Sequence, residues 1–151
     1  MYQHILVPLD GSDAASRGLA EAIEMGRNQG ATLRLMHVID EWPVAAGDMA
    51  GVNLEAGAKR LRAQGRALLE AAEARVREAG LPVASVLLEQ LGLTVGASVV
   101  QEARDWPADL IVCGTHGRRG VRRLLLGSDA QYIVGHSPVP VLLVRAPAAA
   151  R

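Results

Sequence analysis

Aromatic residues are scarce in this sequence. Its 151 residues include two Trp, two Tyr and no Phe, whereas 50% of all residues are hydrophobic. The core must therefore be built from Val, Leu, Ile and Ala, and the length suits one domain with a full core. The arginines that cluster late in the chain have no interleaved aromatic residues on which nucleic-acid bases could stack.

The sequence also has no net charge, a single lysine and a single cysteine. The formal net charge is zero, so no overall field draws the chain to nucleic acid or to a membrane. Lys59 is the only lysine, and it lies within a predicted helix, which excludes the G-x4-G-K-[S/T] loop of a P-loop NTPase. A phosphoacceptor receiver domain is excluded because no lysine lies near the last predicted strand. Cys113 has no partner for an internal disulfide, which fits a reducing cytoplasm.

Long apolar runs and export signals are not found either. No run reaches the roughly 18 residues that span a bilayer. The first residues, YQHILVPLD, do not combine the charged region, apolar stretch and cleavage site of a signal peptide. We therefore expect a soluble, cytoplasmic protein that binds neither membrane nor nucleic acid.

Short apolar runs alternate with segments of helical period along the chain. The predicted strands are His4–Asp10, Ala31–Val38, Val83–Gln90, Ala108–Gly114 and Val139–Val144. The predicted helices run from a Ser12 or Asp13 cap to Gly30, over Glu55–Ala79, from a Thr94 cap to Asp105, and over Ser128–Gly135, with a loop at Ile39–Asn53. This alternation predicts a single-domain α/β fold, an open five-stranded parallel sheet with helices on both faces.

The last strand and the C-terminus carry two further expectations. Pro140 cannot donate to a strand ladder, so the fifth strand should lie at an edge of the sheet. The domain is expected to span residues 1–146, and residues 147–151 are expected to form a flexible tail.

The stretch VCGTHGRRGVRRLLLGSDA follows the fourth predicted strand. In an open parallel sheet, ligands bind beyond the carboxyl ends of the strands, and strands one and four end at Asp10 and Gly114. Glycines let backbone N–H groups approach a phosphate, and Gly127-Ser128 opens a helix whose first N–H groups are unpaired. Ser128 would cap this helix and donate its hydroxyl. Nearby charge comes from Arg118, Arg119, Arg122 and Arg123. The stretch predicts a phosphate cradle, and the alternative is a glycine-rich turn with solvated arginines.

The glycine spacing adds a family resemblance. Gly114, Gly117 and Gly127-Ser128 match the pattern G-x2-G-x9-G-[S/T] of ATP-binding universal stress proteins. The segments ILVPLDGSDAA, ADLIVCGTHGRRG and LLLGSDAQYIVGHSPVPVLLV also resemble that family, so the similarity covers essentially the whole chain. It implies strand order 3-2-1-4-5, ATP as ligand, often with a divalent cation such as Mg²⁺ or Mn²⁺, and a homodimer that pairs the last strands, here Val139 to Val144.

The resemblance also implies a set of ligand-binding residues. Asp10, with Pro8 beside it, would lie near the nucleotide, the backbone of Val38 would contact adenine, and the loop and helix start would hold the phosphates. The complete set is Pro8, Asp10, Val38, Gly114, Thr115, His116, Gly117, Arg118, Gly127, Ser128 and Asp129. The amides exposed by Gly114, Gly117 and Gly127 would converge on the phosphates. No catalytic residue is assigned.

Structural roles compete with these assignments. Asp10 could form the turn before the first helix, Asp129 could complement a helix dipole, and Ser12 and Asp13 are more typical of caps than of ligands. His4, His37 and His136 are interpreted as structural, and no ligand spacing for zinc surrounds them. Cys113 is interpreted as a buried, unactivated thiol. Trp42 would cover adenine, pack locally or mark a partner surface.

Three functions fit these features. The first is a nucleotide-dependent regulatory module of the stress response, read by a protein partner that the sequence does not identify. The second is a slow ATPase or nucleotidyl-transfer enzyme, with Asp10 or His116 orienting water. The third is a chaperone-like or structural protein with a vestigial site, which the intact glycine spacing disfavours.

Overall fold

A parallel sheet organises the chain. The computed structural model describes residues 1–39, 54–89, 92–116 and 126–146. Among these residues, the strands are β1 His4–Pro8, β2 Thr32–Ile39, β3 Val83–Glu89, β4 Leu110–Gly114 and β5 Val141–Val144. The helices are α1 Asp13–Gln29, α2 Leu54–Glu78, α3 Val95–Asp105 and α4 Ser128–His136. The strand order is β3-β2-β1-β4-β5 with every pair parallel, which confirms the expected fold.

Alternating side chains divide the core between the two faces of the sheet. Ile5 and Val7 point to one face and pack with α1 and α2, including Leu19 and Val76. Leu6 points to the other face and packs with residues of α3 and α4. Successive side chains of a strand point to opposite faces, so a sheet covered on both sides needs these continuous apolar runs.

Local capping chemistry sets several helix ends. Ser12 Oγ accepts the Ala15 N–H at 3.2 Å at the start of α1, and Thr94 Oγ1 accepts the Ala97 N–H at 3.2 Å at the start of α3. Gly30 ends α1 in the left-handed region, at φ 67°. These three ends confirm the sequence-based predictions, because the signals lie within a few residues of the ends that they set.

β1, β4 and β5 are shorter than predicted, whereas β2 keeps its predicted length, and β5 shows one cause. Ser137 Oγ donates to the Val139 carbonyl at 2.7 Å and accepts the Val139 N–H at 3.2 Å, so a turn uses the polar groups of Val139. Pro140 follows, and β5 begins at Val141. The strand lies at the edge of the sheet, as Pro140 predicted. None of the described helices combines the length and apolar character needed to cross a membrane.

Candidate functional site

A cavity of about 700 Å³ opens at the carboxyl ends of β1, β2 and β4. This volume falls within the range of small-molecule sites. Met36 and Cys113 line it from the face that α3 and α4 cover, whereas Leu9 and Leu68 line it from the face that α1 and α2 cover. The cavity therefore extends over the carboxyl ends of the central strands onto both faces of the sheet. The strand order reverses at this point, which is the position that this architecture favours for ligands.

The turn after β1 brings Asp10 to the cavity. Asp10 Oδ1 accepts the Ser12 N–H at 2.9 Å, and Gly11 lies between them at φ 81°, a conformation that favours glycine. Ser12 Oγ also donates to the His116 carbonyl at 3.4 Å, which links this turn to the loop after β4. Asp10 thus forms the turn and also faces the cavity, so its structural and binding roles coexist.

Gly114 is required by packing. A Cβ at this position would lie 2.9 Å from the Cβ of Ala14 and 3.0 Å from the backbone N of Ala15. The end of β4 therefore approaches the first turn of α1 at backbone distance. The first glycine of the pattern closes the gap between two elements that border the cavity, a role that the spacing alone did not predict.

Gly127, rather than Ser128, is the N-cap of α4. Ser128 is the first helical residue, and Gly127 provides no side-chain cap, so the prediction of a Ser128 cap is wrong. The Gly127 N–H donates to the Thr115 carbonyl at 2.9 Å. This amide is therefore not available to a ligand, although the glycine pattern predicted that it would contact the phosphates. A Cβ at Gly127 would lie 3.3 Å from that same carbonyl oxygen. The amides left for a ligand at this helix start are those of the first turn, from Ser128 onward.

The loop after β4 holds Thr115 and His116 against the cavity. The Thr115 N–H donates to the Val144 carbonyl at 2.9 Å, and Thr115 Oγ1 lies 3.0 Å from His116 Nδ1. His116 Nε2 is buried and has no hydrogen-bond partner among the described residues. Because buried polar atoms are nearly always paired, this nitrogen is a candidate contact for a ligand.

Asp129 joins two helices. Its Oδ1 accepts the Gly96 N–H at 2.8 Å, so the first turn of α4 supplies a carboxylate to the first turn of α3. A Cβ at Gly96 would lie 3.0 Å from the Asp129 carbonyl oxygen, so the helices meet at backbone distance. Within the described ranges, no group of three or more His, Cys, Asp or Glu side chains is arranged to hold a metal ion.

Nine of the predicted ligand-binding residues line this one cavity: Pro8, Asp10, Val38, Gly114, Thr115, His116, Gly127, Ser128 and Asp129. Gly117 and Arg118 lie outside the described residues, as do Trp42, Arg119, Arg122 and Arg123.

Sequence signals did not predict the part of the cavity wall that α2 supplies. Leu61, Gln64, Gly65 and Leu68 line the cavity beside His37. The helical period over Glu55–Ala79 predicted the helix but did not distinguish side chains that line a cavity from side chains packed in a core. Cys113 also lines the cavity, and burial raises the pKa of its thiol to about 11, which agrees with an unactivated cysteine.

Comparison with known proteins identifies the family to which this chain is similar. The sequence model of the Universal stress protein family matches residues 1–145. The universal stress protein in the QAH/OAS sulfhydrylase 3'region of Thermus aquaticus is 36% identical over 148 residues, which cover 96% of this chain and 100% of the relative. The crystal structure of a universal stress protein family member from Burkholderia pseudomallei is 32% identical, with a TM-score of 0.77 over 95% of this chain and 96% of that one.

Two more distant structures share the fold and contain nucleotides. The universal stress protein of Archaeoglobus fulgidus in complex with dAMP has a TM-score of 0.70 and 23% identity, over 95% of this chain and 98% of that one. A family protein from Arabidopsis thaliana with AMP bound has a TM-score of 0.67 and 21% identity, over 97% of this chain and 93% of that one. Because the family match extends over nearly the whole sequence, the chain belongs to the universal stress protein family.

Proposed function

We propose that this chain binds ATP in the cavity at the carboxyl ends of the strands and acts as a nucleotide-dependent regulatory protein of the stress response. The observation that carries the proposal is the start of α4, which faces a cavity of about 700 Å³ and has a glycine N-cap with no side-chain cap. Unpaired amides and the helix dipole favour a phosphate at such a position. The family membership and the relatives solved with dAMP and AMP support an adenine nucleotide.

The proposal assigns each part of ATP to a part of the cavity. The base lies near Pro8 and Val38, on the face that α3 and α4 cover, and the ribose lies near Asp10. The phosphates extend to Ser128 and the first turn of α4, with His116 Nε2 as a further contact. Apolar walls with a few polar groups at one end are typical of small-molecule sites.

A divalent cation with the ATP would be held mainly by phosphate oxygens. Asp10 and Asp129 already accept amide N–H groups through Oδ1. Mg²⁺ is commonly bound through one or two carboxylates and substrate phosphates. Such a cation would therefore depend on the bound nucleotide for most of its ligands.

The regulatory proposal predicts slow turnover. Asp10 is engaged in its turn through Oδ1, and the proposal assigns His116 Nε2 to the phosphates, so it assigns neither residue as a general base. Phosphate release under single-turnover conditions distinguishes the proposal from an ATPase. A rate near the lower end for kinases, on the order of 1 per second, would contradict it.

Calorimetric titration of the purified chain with ATP, AMP, adenosine and GTP tests the binding itself. We expect ATP to bind more tightly than adenosine because the proposal places the phosphates at α4, and more tightly than GTP because relatives were solved with the adenine nucleotides dAMP and AMP. Equal affinity for ATP and adenosine would remove the phosphate assignment, and equal affinity for ATP and GTP would remove the adenine assignment.

A further inference from the structure

His37 makes a hydrogen bond that crosses from β2 to the turn after β1. Its Nδ1 lies 2.7 Å from the carbonyl oxygen of Leu9. A carbonyl oxygen only accepts hydrogen bonds, so Nδ1 carries the proton and donates. The Leu9 N–H donates to the Met36 carbonyl at 2.7 Å. Both polar backbone groups of Leu9 are therefore held by β2, beyond the end of β1 at Pro8.

This bond lies directly before Asp10. The paired register of β1 and β2 ends at Pro8 and Met36. The chain then reverses through Gly11, and the Asp10 carboxylate accepts the Ser12 N–H. The Leu9 carbonyl belongs to the planar peptide group that joins Leu9 to Asp10. The hydrogen bond from His37 therefore fixes the orientation of this peptide and, with it, the Cα of Asp10 that carries the side chain.

Helix α2 packs against the His37 ring. A Cβ at Gly65 would lie 2.8 Å from His37 Cδ2 and 2.7 Å from Leu87 Cδ1. Helix and ring thus meet at a distance that only glycine permits. The end of Leu87 can rotate away, but the His37 ring is fixed at Nδ1 and cannot move without losing its bond to Leu9.

We propose that His37 is a positioning residue for the nucleotide site: its hydrogen bond to the Leu9 carbonyl orients Asp10 toward the ribose. The inference rests on the proposed function for its effect on binding. The effect of His37 on the turn itself is independent of any ligand. An experiment can therefore contradict the role of His37 without contradicting the proposed function, and the reverse.

Two variants of similar shape isolate the hydrogen bond. His37→Asn keeps an N–H donor close to the position of Nδ1, whereas His37→Leu removes the donor. Amide hydrogen exchange of Ser12, whose N–H donates to Asp10, reports on the turn without nucleotide. We expect exchange to be about tenfold faster in His37→Leu, as the loss of one hydrogen bond allows, and close to wild type in His37→Asn. Equal exchange in the two variants would overturn the inference, whether or not the chain binds ATP.

Binding provides the second readout. We expect His37→Leu to weaken ATP binding about tenfold and His37→Asn to restore most of the loss. In a double variant, His37→Leu should cost little further affinity once Asp10→Ala is present, because both act through one carboxylate. Fully additive losses would contradict a role through Asp10. No ATP binding by the wild-type chain would instead contradict the proposed function and leave the Ser12 exchange result to decide on His37.

Gly65→Ala approaches the same bond from α2. The new methyl group displaces the ring, so Ser12 exchange should accelerate as it does in His37→Leu. Gly135→Ala is the matched control, since it is also a helical glycine and a Cβ there meets no atom within 4 Å among the described contacts. Identical Ser12 exchange in these two alanine variants would contradict the placement of the ring.

Discussion

At the scale of single residues, Gly114 and Gly127 occupy positions where a Cβ would meet backbone atoms. The neighbour is the first turn of α1 for Gly114 and the Thr115 carbonyl for Gly127. These glycines let the end of β4 pack against α1 and the start of α4 pack against the loop after β4. The groups available to an anion are then the first amides of α4 and the Ser128 hydroxyl, rather than the amide of Gly127.

Ser128 offers a substitution that separates its amide from its hydroxyl. Proline is favoured at the first helical position, and the extended conformation of Gly127, at φ −60° and ψ 151°, suits a residue before proline. We predict that Ser128→Pro preserves the fold and weakens ATP binding about tenfold, with a smaller loss for Ser128→Ala. Calorimetry with ATP measures both, and circular dichroism controls for folding. Wild-type affinity in Ser128→Pro would show that this amide does not contact the phosphates.

Cys113 provides a pH-dependent probe of the cavity. Only the thiolate reacts with iodoacetamide, and burial raises the pKa of this thiol to about 11. At pH 8 the thiolate population is therefore about 100-fold smaller than in the unfolded chain, where the thiol has its ordinary pKa of about 9. We predict slow alkylation of the folded protein that accelerates as pH rises toward 11, and further slowing by ATP. Mass spectrometry follows this single cysteine, with denatured protein as control. Rapid alkylation at pH 8 would contradict its burial.

At the scale of secondary-structure elements, the site depends on how α4 is held. Asp129 Oδ1 accepts the Gly96 N–H, so the helix that presents amides to the cavity is joined to the start of α3. The two helices approach so closely at Gly96 that a Cβ there would lie 3.0 Å from Tyr132 Cβ. Asp129 therefore positions the end of the cavity that the proposed function assigns to the phosphates, where its charge would oppose a phosphate.

Asparagine separates these two effects of Asp129. We predict that Asp129→Asn keeps the bond to Gly96, leaves stability nearly unchanged and strengthens ATP binding, because a like charge is removed. Asp129→Ala should leave the Gly96 N–H unpaired and lower the free energy of unfolding by about 1–2 kcal/mol. Urea denaturation and calorimetry measure the two quantities. Equal stability of the two variants would show that the helix contact contributes nothing.

At the scale of the whole molecule, the edge strand β5 is the feature that favours pairing between two copies of the chain. Within the described part of the chain, β5 has a neighbouring strand on one side only. An unpaired strand edge is a ready partner for a second chain. We propose that two copies pair along β5, as the family resemblance implied for Val139 to Val144.

A charge at the edge tests this assembly. We predict that Val141→Lys shifts the molar mass from dimer to monomer, because a lysine opposes strand pairing between copies. Ala84→Lys, on the opposite edge strand β3, is the control and should leave the dimer intact. Size-exclusion chromatography with light scattering reads the mass, and circular dichroism verifies folding. A dimer that survives Val141→Lys would place the interface elsewhere.

Local signals explain how much of this fold the sequence predicted. The alternation of apolar runs gave the parallel sheet, and Ser12, Thr94 and Gly30 marked helix ends because each acts within a few residues. The glycine pattern and Asp10 pointed to the end of the sheet at which the cavity opens, since parallel strands end together there.

Contacts between distant segments explain what the sequence did not predict. His37 reaches Leu9 across 28 positions, and the approach of Gly114 to Ala14 depends on how β4 packs against α1. Such contacts have no local sequence signature, so the roles of His37, Gly65 and Asp129 emerged only from the packed structure.

Amide chemical shifts of the ¹⁵N-labelled chain, recorded during a titration with ATP, test whether α4 binds the phosphates. We predict saturable shifts at Ser128, Asp129 and Ala130 from the phosphates, together with shifts at Asp10 and Val38 from the ribose and base. Adenosine should shift Asp10 and Val38 but leave the three α4 amides nearly unchanged. Saturable binding of ATP that leaves the first turn of α4 unshifted, or no binding at all, would contradict the account.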